Sequence, residues 1–379
     1  MKRKIFTLFV LILILVISLS VFAEDEKDSP TDVFNEVLFY IQNYHIEDQD
    51  MDKLMKGAIK GMVDSLDEFS TYMTDEEYEE MMIEFEGHYG GIGIIITPDL
   101  TIISPIKDTP GDKIGLKPKD KIIAINDEPT KDMSQSQAVD IMRGEPGTPV
   151  NITIEREGKE EPIEYEIIRS DIELPNVESE IKDNRIGYIL VRQFIQKTGN
   201  DVREAVKKLE AQGAEAIILD LRNNTGGVLT EAVNVSSNFI KEGNVVSAKY
   251  STGEEEEYKV NSSIDAVDLP LVILINQGSA SASEIVSGAV KDTNRGTLIG
   301  MNTYGKGVIQ NVVPLSDDSA LSLTTGRYYT PAGHFIHEKG IKPDIKVEYN
   351  PDYDGDNQLD RAIEYINKNY LTEDYKEAS

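Results

Sequence analysis

The chain has 379 residues, 40 % of them hydrophobic, which is enough for two or three domains with apolar cores. It contains no cysteine, and that excludes a disulfide framework, a thiol nucleophile and a zinc–thiolate site. Its formal charge of −30 at pH 7 argues against nucleic acid as a partner, because phosphate contacts need clustered Lys and Arg.

Lys2, Arg3 and Lys4 precede the mostly apolar run Ile5 to Ala23, and Glu24-Asp25-Glu26 follows it. Residues 1–23 therefore read as a targeting segment. It is either a signal peptide with Val21-Phe22-Ala23 at the cleavage point or an uncleaved membrane anchor, since nineteen helical residues span about 28 Å. Positive charge ahead of the segment puts the rest of the chain outside the cytoplasm in both cases, secreted or anchored to the outer face of the membrane.

Residues 30–86 read as a helical region. Val33, Phe34, Val37, Leu38 and Ile41 form one apolar stripe, and Leu54, Met55, Ala58, Ile59, Met62 and Val63 form another. Thr74 and Glu77 have the spacing of a capping box that opens a third helix running to about Glu86.

Residues 87–170 change to short strands, with a glycine-rich loop at Gly90-Gly91-Ile92-Gly93-Ile94 leading into one of them. Ser134 to Met142 reads as a helix, and Gly115-Leu116-Lys117-Pro118-Lys119-Asp120 resembles the G-[LI]-x-x-G-D turn of PDZ domains, with Lys119 in place of the second glycine. The resemblance implies that amides around Gly91, Ile92, Gly93 and Ile94 hold a chain-terminal carboxylate while the peptide adds as a strand.

Residues 172–348 alternate strands and helices, the pattern of a layered α/β core. Leu271 to Ile275 are consecutive apolar residues that read as a buried strand, and a helix follows over Glu284 to Val290. A strand turning sharply into a helix exposes the turn's side chains beside unpaired N–H groups, a suitable place for a nucleophile and an oxyanion. Ser279, Ser281 and Ser283 lie in that turn, and Ser281 with Glu284 also has capping-box spacing. Lys306 lies between Gly305 and Gly307, with Gln310 four residues on, in a stretch whose β-branched residues favour a strand. No G-x-S-x-G elbow is present, and His45, His88, His334 and His337 are far from the serines in sequence. Lysine is then the candidate base. It must be neutral to accept a proton, and lowering its pKa from about 10.4 by about three units costs roughly 4 kcal/mol, which burial against apolar neighbours can impose.

GSASASE, TYGKGVIQ, LDLRNNTGG (Leu219 to Gly227) and LTTGRYYTPAGHFIHEKGIKPDI (Leu323 to Ile345) together resemble the carboxy-terminal processing peptidases, S41-type serine proteases with a Ser–Lys–Gln site and a PDZ domain. The resemblance runs from about residue 35 to 371. It implies a multi-domain α+β chain with a helical N-terminal region, a β-rich PDZ domain, a crotonase-like β/α protease core and a C-terminal helix within residues 349–379. It implies Ser281 as nucleophile, Lys306 as general base, Gln310 as its orienting partner, and the backbone N–H groups of Gly226, Gly227 and Ala282 as oxyanion donors. Arg143 matches a family arginine near the bound tail, and the helical region implies a homodimer contact. Thr225 stands where the family usually has proline and Gly326 where it has alanine.

No cofactor is expected. Asp352-Tyr353-Asp354-Gly355-Asp356 opens like a calcium loop without the glutamate at position 12, and His334 and His337 lack a zinc pattern. The expected substrates are proteins and peptides with free C-termini. The alternatives are a scaffold that grips tails without cutting and a trypsin-fold protease carrying a PDZ domain.

Overall fold

A computed structural model of the chain describes residues 29–173 and 176–372. The expected targeting segment at residues 1–23 and the last residues of the C-terminal tail lie outside the described residues. Among those described, no helix is long and apolar enough to cross a membrane. The chain divides between Leu66 and Asp67 into two compact units.

The first unit holds helices α1 (Pro30–Tyr44) and α2 (Met51–Asp64). Ser29 and Asp32 form a reciprocal capping box on α1, and Asp50 caps α2 by accepting from the Lys53 N–H. The two apolar stripes are only slightly buried within this unit. No residue of α1 is buried, Val33, Phe34 and Val37 are exposed, and Val63 is the one buried residue of α2.

The second unit starts with β1 (Thr71–Met73) and α3 (Asp75–Glu86), whose Thr74–Glu77 capping box forms as the sequence predicts. Next come β2 (His88–Gly91), β3 (Ile94–Ile96), β4 (Ile102–Pro105), α4 (Pro110–Ile114), β5 (Lys121–Ile125), β6 (Glu128–Pro129), α5 (Gln135–Met142), β7 (Pro149–Glu155), β8 (Ile163–Ile168) and β9 (Ser170–Glu173). Strands β5 to β8 form a four-stranded sheet in the order β6-β5-β7-β8, β2 pairs with β9, and β3 pairs with β4 alone. Ile92, Ile102, Ile122, Ile152 and Met142 share its apolar core. The glycine-rich segment leads into β3 as the sequence predicts, although Gly90 and Gly91 themselves pair within β2; Gly93, between the two strands, has φ +72°, and a Cβ there would lie 2.4 Å from Thr109 Cβ. Lys119 has φ +73°, the left-handed conformation that explains why related turns use glycine at this point.

The remaining elements are β10 (Val177–Lys182), β11 (Ile186–Val191), α6 (Thr198–Ala211), β12 (Ala216–Asp220), α7 (Leu229–Ser237), β13 (Asn244–Tyr250), β14 (Glu255–Lys259), β15 (Leu271–Ile275), α8 (Ala282–Asp292), β16 (Thr297–Gly300), β17 (Val308–Pro314), β18 (Ala320–Tyr329), β19 (Ile345–Lys346) and α9 (Asn357–Asn369). The central sheet runs β10-β11-β12-β15-β16-β19, parallel from β11 onward. Its inner strands are apolar on both faces because both are covered. Ile217, Leu219, Leu271, Ile273 and Ile275 join residues of α6, α7 and α8 in one cluster, while Ile218, Val272 and Leu274 join Ala362 and Ile366 of α9 in another. A second sheet is built around β18, which pairs with β1, β13 and β17. The serine turn follows the C-terminal end of β15, at the edge of the central sheet, and Gln310 lies on β17 of the second sheet.

Candidate active site

Five apolar residues make β15 a buried strand, and the chain then turns through Asn276 to Ser281 before α8 begins. Ser281 takes φ +52° and ψ −112°, a strained conformation for a residue with a Cβ. The three serines left open by the sequence separate by their hydroxyls. Ser279 Oγ donates to the Leu221 carbonyl at 2.7 Å and Ser283 Oγ to the Asn224 carbonyl at 2.8 Å, and both residues are buried. Ser281 is partly exposed and stands in the capping box that the sequence predicts with Glu284, whose side chain accepts from the Ser281 N–H at 2.9 Å while the Glu284 N–H bonds the Ser281 carbonyl oxygen at 2.8 Å, so the Ser281 hydroxyl has no protein acceptor for its hydrogen among the described residues. Its hydroxyl is the one left for chemistry in this turn.

The glycine pair reaches the same place. A Cβ on Gly226 would lie 2.7 Å from Ser281 Cβ and 3.0 Å from the Ala282 nitrogen, and both glycines have positive φ, +108° and +134°. Asn224, fully buried, holds this loop. Its Nδ2 donates to the Val191 carbonyl at 2.9 Å, its Oδ1 accepts from the Gly226 N–H at 2.9 Å, and its own carbonyl oxygen accepts from the Ala280 N–H at 3.0 Å. Among the described residues the N–H groups of Gly227 and Ala282 have no hydrogen-bond partner, whereas that of Gly226 is occupied. The Asn223 backbone N–H donates to Asn276 Oδ1 and Asn276 Nδ2 donates to Asn223 Oδ1, both at 2.9 Å, so Asn223 as well as Asn224 serves the turn.

Glu284 joins the serine turn to the lysine segment. Its Oε2 accepts from the N–H groups of Ser281 (2.9 Å) and Lys306 (2.8 Å), and its Oε1 from the Gly305 N–H (2.7 Å) and the Thr303 hydroxyl. Burial pushes the Glu284 carboxyl above its ordinary value against the pull of these donors. The glycines around Lys306 are required by close approach, since a Cβ on Gly307 would lie 2.3 Å from the His337 nitrogen. Lys306 is half-buried, and burial holds its amine below the ordinary lysine value. Its Nζ lies 5.1 Å from the centre of the Phe69 ring, a cation–π distance, and among the described residues it makes no hydrogen bond or ion pair. Gln310 Nε2 donates to Thr324 Oγ1 at 3.4 Å. The fold thus brings the backbones of Ser281 and Lys306 to one carboxylate, while no hydrogen bond joins the Ser281 hydroxyl, the Lys306 amine and the Gln310 amide to one another.

Phe69, Thr324 and His337 line a cavity of about 670 Å³ that also takes in Asp67, Lys249, Val308, Gly326 and Arg327. His337 is the histidine that folding brings to this region. Its ring lies 5.8 Å from that of Phe69 and 5.8 Å from that of Phe335, with no hydrogen bond to Ser281. Gly326 is fitted to its place: a Cβ would sit 3.0 Å from the Lys249 carbonyl oxygen and from carbons of Ile309 and Tyr250.

A second cavity, about 570 Å³, lies between β3 and α5 and is lined by Gly91, Ile92, Gly93, Ile94, Val139, Met142 and Arg143 among others. All five residues named from the sequence meet here. The open edge of β3 provides the backbone groups for an added strand. The Arg143 guanidinium lies 5.1 Å from the centre of the Tyr89 ring, and among the described residues its buried Nε has no hydrogen-bond partner.

This arrangement belongs to a serine-type peptidase with a PDZ module. Residues 185–347 match the model of peptidase family S41, residues 101–156 that of the PDZ domain, and residues 22–77 that of the activating protease CtpB N-terminal domain. The chain is 38 % identical over 331 residues to the carboxy-terminal processing protease CtpA of Bacillus subtilis, covering 86 % of this chain and 70 % of that one. It is 38 % identical over 301 residues to the carboxyl-terminal-processing protease of Synechocystis, covering 77 % and 70 %. Among solved structures, the photosystem II D1 C-terminal processing protease is 28 % identical with a TM-score of 0.49, covering 83 % of this chain and 86 % of that one. The chain is a member of the carboxy-terminal processing protease family of S41 peptidases.

Sequence reasoning missed the reach of Glu284, which was legible only as a local cap, and the contact of Phe69 with Lys306. The only local signal for the second was the unassigned stretch LDEFSTY, Leu66 to Tyr72.

Proposed function

We propose that the protein is an endopeptidase that captures protein C-termini in the groove between β3 and α5 and cleaves near the tail through an acyl-enzyme on Ser281. The observation that carries this reading is Ser281 itself: a strained, partly exposed residue whose hydroxyl donates to no protein group among the described residues, at the start of a helix, tied through Glu284 to a lysine whose amine burial holds below the ordinary lysine value. Neutral Lys306 takes the Ser281 Oγ proton as Oγ attacks the scissile carbonyl carbon. The oxyanion is received by the N–H groups of Gly227 and Ala282, with Gly226 shaping the loop through its bond to Asn224. The Lys306 ammonium then protonates the departing amine, and Lys306, neutral again, deprotonates the water that attacks the ester and returns that proton to Ser281 Oγ as the acid leaves. Gln310 orients the amine. Because Lys306 rests over Phe69, the reaction needs its side chain to swing to the serine, and tail binding in the groove is the event assigned to favour that shift.

The test is cleavage of an unfolded protein with a free carboxyl end by the purified wild type and by Ser281→Ala. The reading expects a loss of about 10⁴-fold or more in kcat for the variant. Equal cleavage by the two removes Ser281 from the mechanism, and a wild type inert on many substrates favours a tail-binding scaffold. The exposed apolar side chains Val33 and Val37 of α1 are further assigned to contact with a second copy. Sedimentation of Val33→Asp/Val37→Asp checks it, and an unchanged oligomeric state discards it.

A further inference from the structure

Phe69 apart, the turn Asp67 to Ser70 has no part in the scheme above, yet its hydrogen bonds lead to Gln310. Asp67 Oδ1 accepts from the N–H groups of Phe69 and Ser70, both at 2.8 Å, and Oδ2 accepts from the Ser70 hydroxyl at 2.8 Å. These bonds make a tight Asx-type turn. β1 then carries the turn onto the second sheet, with Thr71 opposite Ser322 on β18. The Thr324 N–H donates to Ser70 Oγ at 3.1 Å, and the Thr324 hydroxyl donates to Asp67 Oδ1 at 3.1 Å. On the other side of β18, Thr324 is the cross-strand partner of Gln310, and the register slips by a bulge between Ile309 and Gln310. Bulges re-aim side chains, and here the Gln310 amide meets Thr324 Oγ1 at 3.4 Å.

We infer that Asp67 and Thr324 are positioning residues that fix which end of the Gln310 amide faces the lysine. Asp67, ionised, only accepts hydrogen bonds, so the single hydrogen of the Thr324 hydroxyl is committed to it. Ser70 Oγ also lies 3.4 Å from Thr324 Oγ1, but its own hydrogen has the shorter bond to Asp67 at 2.8 Å. Thr324 Oγ1 can therefore only accept from Gln310, which must present its NH₂ group. The carbonyl end, Oε1, is left to accept an N–H of the Lys306 amine and to steer that amine's lone pair toward a hydroxyl. A flipped amide would set Oε1 against an oxygen whose proton is already given away. The donors around Asp67 support this, since they outweigh the upward push of burial and hold its carboxyl below the ordinary range. The order of donors, from Lys306 to Gln310 to Thr324 to Asp67, does for the lysine what a carboxylate does for the imidazole in a histidine-based triad.

This inference rests on the proposed Ser281–Lys306–Gln310 chemistry. The test is steady-state cleavage of an internally quenched peptide with a free carboxyl end by Thr324→Val, Thr324→Ser, Asp67→Asn, Gln310→Ala and the double variant Thr324→Val/Gln310→Ala. Thr324→Val is expected to lower kcat about tenfold with KM unchanged, and Thr324→Ser to restore it. Asp67→Asn, which keeps the shape of the turn, is expected to lower kcat in the same sense. The double variant is expected to be no slower than Gln310→Ala, because Thr324 acts through Gln310. Losses that multiply in the double variant, a change confined to KM, or wild-type kcat in both Thr324→Val and Asp67→Asn overturn the inference. Wild-type kcat in Gln310→Ala instead overturns the role of Gln310 itself, so the two failures are distinguishable.

Discussion

The backbone N–H groups of Ser281 and Lys306 converge on a single atom, Oε2 of Glu284, at 2.9 Å and 2.8 Å. Residues 25 positions apart in sequence are thereby held in one frame by a fully buried carboxylate, independently of where their side chains point. Four hydrogen bonds fix this frame, and among the described residues the lysine side chain makes none.

Replacing that carboxylate by an amide tests the frame. In Glu284→Gln one end of the side chain becomes NH₂, so at least one pair of donors now faces a donor in a buried site. Hydrogen bonds to a charged group contribute about 1.5–3 kcal/mol each, and a buried donor left unpaired costs a similar amount. Glu284→Gln is expected to destabilise the core by about 3 kcal/mol in urea denaturation and to lower kcat by about 10²-fold. An active variant of unchanged stability would dismiss Glu284 as the link.

The lowered pKa of Lys306 has two consequences of opposite benefit. Because the neutral amine is the proposed base, kcat/KM should rise with pH through an ionisation below the ordinary lysine value of about 10.4. Between the folded value and that ordinary value the unfolded chain takes up a proton that the folded chain refuses. Stability therefore falls as pH drops through this window and levels off below it. Lys306→Met should accordingly lower kcat by about 10³-fold or more while losing this pH dependence of stability. A pH–rate profile together with urea denaturation at several pH values checks both parts, and retained activity in the variant would restore a histidine base as the explanation.

The sequence made local features legible and left distant ones dark, for a physical reason. Leu271–Ile275 was read to its ends because five apolar residues fit a strand covered on both faces, and the Thr74 cap was read because its partner is three residues away. Periodicity reports only neighbours a few positions apart. Thr324 and Ser70 are joined across 254 positions and Thr324 and Asp67 across 257, so no spacing rule connects them. The glycine-rich segment ahead of Ile94 is legible as a lead into β3, whereas the pairing of Gly90 and Gly91 with β9, some eighty positions on, is not. For Ser281, Lys306 and Gln310 the matched motifs named candidates that local pattern alone left among three serines. Only the hydrogen bonds of Ser279 and Ser283 separate the three by geometry.

Asn224 offers a separate measurement of the proposed oxyanion loop. Asn224→Ala leaves the Val191 carbonyl and the Gly226 N–H without their partners in a buried place, which costs about 2 kcal/mol of stability. The same change releases the glycine loop from its register against Ser281, and misplaced oxyanion donors lower kcat by about 10²-fold. KM should stay near its original value, since the loop acts on the transition state. A loss carried entirely by KM would place Asn224 in ground-state binding.

Arg143 gives the clearest test of tail capture. Among the described residues its Nε is buried beside the groove without a hydrogen-bond partner, and its guanidinium is stacked on Tyr89, so a cation is held ready for an anion that those residues do not provide. A terminal carboxylate fits that need, and one charge-assisted hydrogen bond more is worth about tenfold in affinity. Arg143→Leu is expected to lower kcat/KM about tenfold for a peptide with a free carboxyl end, bringing it to the level of the amidated peptide, whose own kcat/KM changes less than about twofold. Equal losses on the two peptides would mean that Arg143 supports the fold of the groove and does not read the tail.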